Sequence, residues 1–118
     1  MRTGWGALAA VAALHASAQA TTITVESPPD SSHAALVEVF GDFENGDEEV
    51  FRTRTLEFTK AVIAFGSNGG SLITGIHIGE IIRLKGFVSL VPDGQRCASA
   101  CAIAWLGGSR RFMGRERL

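Results

Sequence analysis

Two segments hold the residues best suited to covalent chemistry: Gly66-Ser67-Asn68-Gly69-Gly70-Ser71 and Cys97-Ala98-Ser99-Ala100-Cys101. A glycine pair where a strand runs into a helix leaves backbone N–H groups uncovered, and such groups bind an anion or an oxyanion. Ser99 stands between two alanines small enough to let a carbonyl approach its hydroxyl, with the Ala100 N–H beside that carbonyl. The pair therefore suggests an oxyanion-hole loop and a nucleophilic serine. Each segment also has a plainer explanation, because a tight strand-to-helix turn needs glycine for conformation alone and a small-residue helix packs closely on a sheet.

A serine hydroxyl is a weak nucleophile until an adjacent base takes its proton. None is visible. His15 falls within residues 1–20, which are expected to be removed as a signal, His33 in a Pro/Ser-rich turn, and His77 midway along a helix; apart from Lys60 the only lysine is Lys85, at the wrong end of its helix for a Ser-Lys pair. Cys97 and Cys101 would fall one helical turn apart on one face, with Ser99 on the opposite face and the Cα atoms about 6 Å apart, within disulfide range. The loop closed would be so short that a bridge constrains the unfolded chain little. Buried thiols acting as small apolar residues are preferred over a disulfide. A lone C-x3-C lacks the further ligands of a zinc site, so no metal is expected, and no cofactor.

The elements that must position these residues follow from the patterning. Thr21 to Val25 is a β-branched, edge-like strand ended by the Pro28-Pro29-Asp30-Ser31-Ser32 turn. Ala35 to Phe40 is a second strand closed by Gly41-Asp42. Asp47 to Phe58 is a helix with Asp47, Glu48 and Glu49 at its start, where negative charge is favoured. Ala61 to Phe65 is continuously apolar, as a strand buried on both faces is. Ser71 opens a long helix ended by Lys85-Gly86, with one stripe of Leu72, Ile76, Gly79 and Arg83 and another of Ile73, His77, Glu80 and Leu84. Phe87 to Val91 is a strand, Cys97 to Leu106 a small-residue helix, and Arg111-Phe112-Met113 the start of a further strand. Alternating strands and helices predict an α/β fold with a mainly parallel sheet. In such a sheet both candidate turns fall outside the carboxyl ends of the strands and converge.

At 118 residues and 46% hydrophobic, the chain is long enough for one modest core. Residues 1–20 have the form of a secretory signal: Arg2, an apolar run from Trp5 to Leu14, and the small-x-small sequence Ala18-Gln19-Ala20. That run is about half of the roughly 20 residues that a membrane span needs, so no stable membrane anchor is expected. The expected domains are a signal peptide over 1–20, an N-terminal strand and turn over 21–34, and the main domain over 35–118. Removal of the signal leaves ten basic against twelve acidic residues, a balance that offers nothing to nucleic acid. The acids Asp42, Glu44, Asp47, Glu48 and Glu49 and the arginines Arg110, Arg111, Arg115 and Arg117 are read as a solvated helix start and a solvated tail.

With these residues in view, the sequence resembles the Clp protease proteolytic subunit and its relatives in the ClpP/crotonase superfamily, particularly the exported ClpP-like proteins of bacteria. Gly66 to Ile76 resembles that family's S-P-G-G-S-x-x-x-G loop and helix, with Asn68 where proline is usual, and Asp93 to Ala102 resembles the segment that carries its nucleophile. The resemblance runs from about Ala35 to Gly114. It implies repeated β-β-α units, Ser99 as nucleophile, the Gly69 and Ala100 N–H groups as the oxyanion hole, and Gly70 shaping the turn. It also implies a general-base histidine and an orienting aspartate beyond Leu118, so that the chain is expected to be a C-terminally truncated fragment, inactive as written. An exported serine hydrolase acting on a peptide or small acyl substrate in the periplasm is the leading expectation, with a homo-oligomer as a further one. A non-catalytic ClpP-fold binding or assembly module is the alternative. A crotonase-like thioester site is disfavoured by export, since acyl-CoA substrates are cytoplasmic.

Overall fold

Strands and helices alternate because apolar runs of four to six residues, bounded by glycine, proline and polar turns, separate segments with helical caps. The structure, a computed structural model, describes residues 20–28, 30 and 32–115. The expected signal segment lies, but for Ala20, outside those residues. The order is β1 (Thr22–Glu26), β2 (Ala35–Phe40), α1 (Asp47–Thr55), β3 (Ala61–Gly66), α2 (Leu72–Lys85), β4 (Val88–Val91), α3 (Ala100–Trp105) and β5 (Arg111–Met113). The result is an α/β fold with one five-stranded sheet in the order β1-β2-β3-β4-β5. β1 pairs antiparallel with β2, and every later pairing is parallel. The β-β-α arrangement occurs once, at the start; each later helix follows a single strand.

Register decides which side chains meet the helices. Val37 stands opposite Ile63, and Ile63 opposite Ser89, and all three are fully buried. One residue along, Leu36, Val62 and Val88 form a row on the other face and are only half-buried. The buried row joins Phe51 of α1, Ile78, Ile81 and Ile82 of α2, and Ala100, Cys101 and Ala104 of α3 in a single apolar cluster. One face of the sheet is thus covered by a helical layer, while on the other β3 keeps Ala64 buried and leaves Val62 and Gly66 half-buried, so the expectation that β3 is buried on both faces holds only at its centre. No helix among the described residues is long and apolar enough to cross a membrane.

Helix α2 is bounded as its sequence predicts. Ser71 caps it by accepting the Thr74 N–H at 3.2 Å, and Gly86, at φ 70°, ends it with its N–H turned back to Arg83 and Ile82. The face it buries is not either predicted stripe. Buried are Thr74, Gly75, Ile78, Gly79, Ile81 and Ile82, while Leu72, Ile73 and Leu84 are exposed. The reason is steric. A Cβ on Gly75 would lie 2.4 Å from the Ala100 carbonyl oxygen, and one on Gly107 would lie 2.2 Å from that of Gly79, so α2 presents its flattest surface to α3. Hydrophobicity alone does not separate the two sides, since Ile78, Ile81 and Ile82 are buried while Leu72, Ile73, Ile76 and Leu84 are exposed.

Two other boundaries differ from expectation. α1 stops at Thr55 rather than Phe58; only Phe51 and Thr55 of that helix are buried, and Leu56 points into solvent at 67% exposure. α3 begins at Ala100 rather than Cys97.

The close approach of α2 and α3 makes Gly75 the most demanding position of the helical layer. Replacing glycine by alanine inside a helix ordinarily gains up to about 1 kcal/mol, but overpacking against a backbone costs about 1–3 kcal/mol. Gly75→Ala is expected to lower the urea-unfolding free energy, and Leu84→Ala, at an 87% exposed position, to leave it within about 0.5 kcal/mol. A G75A protein as stable as the parent would show that α3 is not held by this contact.

Candidate functional site

The sheet ladder continues past the ends of its strands and builds the glycine loop into a fixed object. On one side Phe43 donates its N–H to the Gly69 carbonyl at 2.7 Å and accepts the Ser71 N–H at 2.9 Å. On the other, Ser67 donates to the Arg96 carbonyl at 2.7 Å and accepts the Ala98 N–H at 3.0 Å, so that Ser67 and Cys97 form a parallel bridge. The two segments singled out from the sequence are therefore adjacent strand extensions at the carboxyl edge of β3 and β4. Gly69 and Gly70 have φ values of 116° and 115°, a region that favours glycine. A Cβ on Gly70 would meet the Phe43 carbonyl oxygen at 2.3 Å; one on Gly69 would lie 2.9 Å from the Ser99 Cβ and 3.3 Å from its Oγ. Gly69 is thus the surface against which Ser99 rests.

Ser99 has φ 57° and ψ −124°, and among the described residues it alone combines a side chain with a left-handed φ. It precedes α3, its hydroxyl does not cap that helix, and it is exposed. Ala100, next in the chain, is fully buried under Gly75, and its N–H belongs to the first helical turn, where such groups have no intrahelical acceptor. Gly69 offers less than the resemblance implies, because its N–H donates to the Ser67 hydroxyl at 3.0 Å. The Gly70 N–H enters none of the bonds that stitch the loop.

Cys97 and Cys101 are joined by a disulfide, with Cα atoms 5.1 Å apart, in place of the buried thiols preferred from the sequence. Cys101 is fully buried and Cys97 half-buried. The loop closed is as short as the sequence implies, four residues in separation, and the bridge forms all the same, across a turn that is not helical. Two hollows flank the Ser67–Cys97 bridge. One, of about 390 Å³, is lined by Phe40, Asp42, Asn68, Gln95 and Arg96 among others; the second, of about 220 Å³, by Arg96, Cys97, Ala98 and Met113 among others.

Among the described residues no histidine reaches Ser99. His77 is exposed on α2, with Nδ1 3.0 Å from Glu80 Oε1. His33 lies before β2 at the other end of the sheet, beside Asp30 and Ser32, a serine-histidine-aspartate set that the sequence reading passed over. Both Asp30 Oδ1, at 2.9 Å, and Ser32 Oγ, at 3.2 Å, face the same ring nitrogen, Nδ1. A catalytic triad needs its carboxylate and its hydroxyl on opposite nitrogens, so this cluster is a hydrogen-bonded turn without the geometry of a triad. Hydrogen bonds from Ser32 and His33 hold Asp30 below the usual carboxylate range.

No family model matches the chain, and no curated protein or solved structure matches it either.

Behind the glycine loop, buried Thr74 ties α2 to the start of α1: its hydroxyl lies 3.0 Å from the Glu44 carbonyl and 3.2 Å from Glu48 Oε1. Glu48 also accepts the Gly46 N–H at 2.8 Å. Its own N–H, that of Gly46, the Thr74 hydroxyl and the nearby His77 hold the Glu48 carboxyl below its ordinary value against the opposing effect of burial. A carboxylate whose pKa is lowered by folding stabilises the fold above its unfolded pKa, and that contribution is lost as pH falls through the folded pKa. Denaturant titrations from neutral pH to below about pH 4 should therefore show a steeper loss of stability in the parent than in Glu48→Gln. Parallel curves would show that the tie between α1 and α2 does not depend on the charge.

Proposed function

We propose that this chain carries the nucleophile and oxyanion loop of an exported serine acyl hydrolase of the ClpP/crotonase type, acting on a peptide or small acyl substrate. Ser99 Oγ attacks the carbonyl carbon, the oxyanion is received by the backbone N–H groups of Gly70 and Ala100, and water releases the acyl group from Ser99. The proton of the hydroxyl needs a base from outside the described residues, so this segment alone binds a carbonyl better than it cleaves one.

The observation that carries this reading is the conformation of Ser99. Holding a residue with a side chain in such a region costs about 1–3 kcal/mol. A serine that only packed or capped a helix would have no need of it. Here the strain leaves an exposed hydroxyl at a strand-to-helix turn, beside a glycine loop with an unengaged N–H. The disulfide supports export to an oxidising compartment.

A second reading, a non-catalytic ClpP-fold module that binds or assembles, is favoured by the open face of the sheet. Leu36, Phe40, Val62, Val88 and Leu90 are only half-buried there, and Phe112 is 52% exposed. Treatment of the full gene product with a fluorophosphonate probe distinguishes the two. Serine hydrolase chemistry predicts one adduct, located by mass spectrometry on Ser99, abolished in Ser99→Ala and retained in Ser109→Ala. A folded protein that takes no adduct would assign the module to binding.

A further inference from the structure

The disulfide brackets Ser99 and plays no part in acyl transfer itself. Helical residues four apart hold their Cβ atoms about 5–6 Å from each other, whereas a disulfide needs about 3.5–4.5 Å. A bridge between Cys97 and Cys101 is therefore incompatible with a regular helix running through Ser99, and α3 begins immediately after it, at Ala100. The composition pulls the other way. Ala98, Ala100, Ala102 and Ala104 are the strongest of helix formers, and with the bridge open α3 can extend backward, taking Ser99 from φ 57° to the ordinary helical value near −60°. In that state the hydroxyl no longer stands against Gly69.

We propose that the Cys97–Cys101 disulfide is a redox-controlled positioning element: oxidised, it holds Ser99 in the left-handed turn; reduced, it lets the helix run through Ser99 and silences the site. The reductant is a dithiol. Its thiolate reaches Cys97, which is half-buried and lines the 220 Å³ hollow beside Arg96, rather than Cys101, which is fully buried. Attack on Cys97 Sγ breaks the bridge and releases the Cys101 thiolate, which takes up a proton. The second thiol of the reductant then resolves the mixed disulfide and frees Cys97 as a thiol. Two electrons pass to the two cysteines, and the reductant leaves as a disulfide.

The consequence for activity rests on Ser99 being the nucleophile, but the conformational change does not, and the experiment separates them. The full gene product is examined oxidised, reduced with excess dithiothreitol, reoxidised, and as Cys97→Ala, by the Ser99 carbon chemical shift and by the kinetics of fluorophosphonate labelling. Reduction and Cys97→Ala are each expected to move the Ser99 Cα shift to a helical value. They should lower kinact by about tenfold or more with little change in KI, and reoxidation should restore both. A Ser99 shift that does not change on reduction overturns the proposal, as does global unfolding of the reduced protein, which would make the bridge a simple staple. A reversible change in the shift with no labelling in any state upholds the redox switch and removes the nucleophile assignment.

Discussion

The arrangement depends on how closely the backbones of α2 and α3 approach. Gly75 and Gly79 sit one helical turn apart on α2 and face Ala100 and Ile103 of α3, and Gly107 closes against Gly79 from beyond the helix end. No side chain on α2 intervenes, so α3 is held at backbone distance and its first residue is placed to within the tolerance of van der Waals contact. Ser99 is one peptide away from that contact. Helix packing therefore fixes the residue that follows Ser99, and so one end of the turn that carries the hydroxyl.

The same economy appears at the sheet edge. Strained turns survive only where the surrounding structure over-determines them, and here the strain at Ser99 is opposed from three directions: the ladder from Ser67 to Arg96 and Ala98, the packing of Ala100 on Gly75, and the disulfide across Cys97 and Cys101. The first two fix the ends of the turn. Only the third acts across the serine, and a covalent link between its flanks excludes the helix that its alanine neighbours favour. The three constraints thus differ in kind, two from packing and hydrogen bonding and one from a covalent bond that a dithiol reductant can open.

Much of this was legible in the sequence where local physics decides. The bounds of β2, the position of β3 and both ends of α2 follow from a short apolar run closed by glycine, or from a serine cap and a left-handed glycine, each a local preference that the fold does not contradict. The convergence of the Gly69-Gly70 and Ser99 segments also follows, since successive parallel strands put their carboxyl ends on one edge. The buried face of α2 was not legible, because apolar residues stand all round the helix and the choice of the side that carries Gly75 and Gly79 is made by a helix elsewhere in the chain. The start of α3 was misread for a related reason: alanines promise a helix from Cys97, and the pairing of two cysteines overrules them. Gly69's N–H was assigned to the oxyanion hole without any signal that Ser67, two residues earlier, would claim it.

The open face of the sheet bears on what the site can reach. Leu36, Phe40, Val62, Val88 and Leu90 leave apolar surface partly in contact with solvent across β2, β3 and β4, and Phe112 carries it onto β5. The 390 Å³ hollow, with Phe40 and Gln95 among its lining, meets this face at the carboxyl edge, where the Gly66 to Asn68 loop forms its wall. On the reading proposed above, a chain entering there would meet apolar strand surface on one side and the Gly66 to Asn68 wall on the other, next to the loop that carries the Gly70 N–H. Backbone donors then fix its carbonyl while apolar contact supplies non-directional affinity. On that reading, selectivity would come from an extended apolar surface more than from a deep pocket.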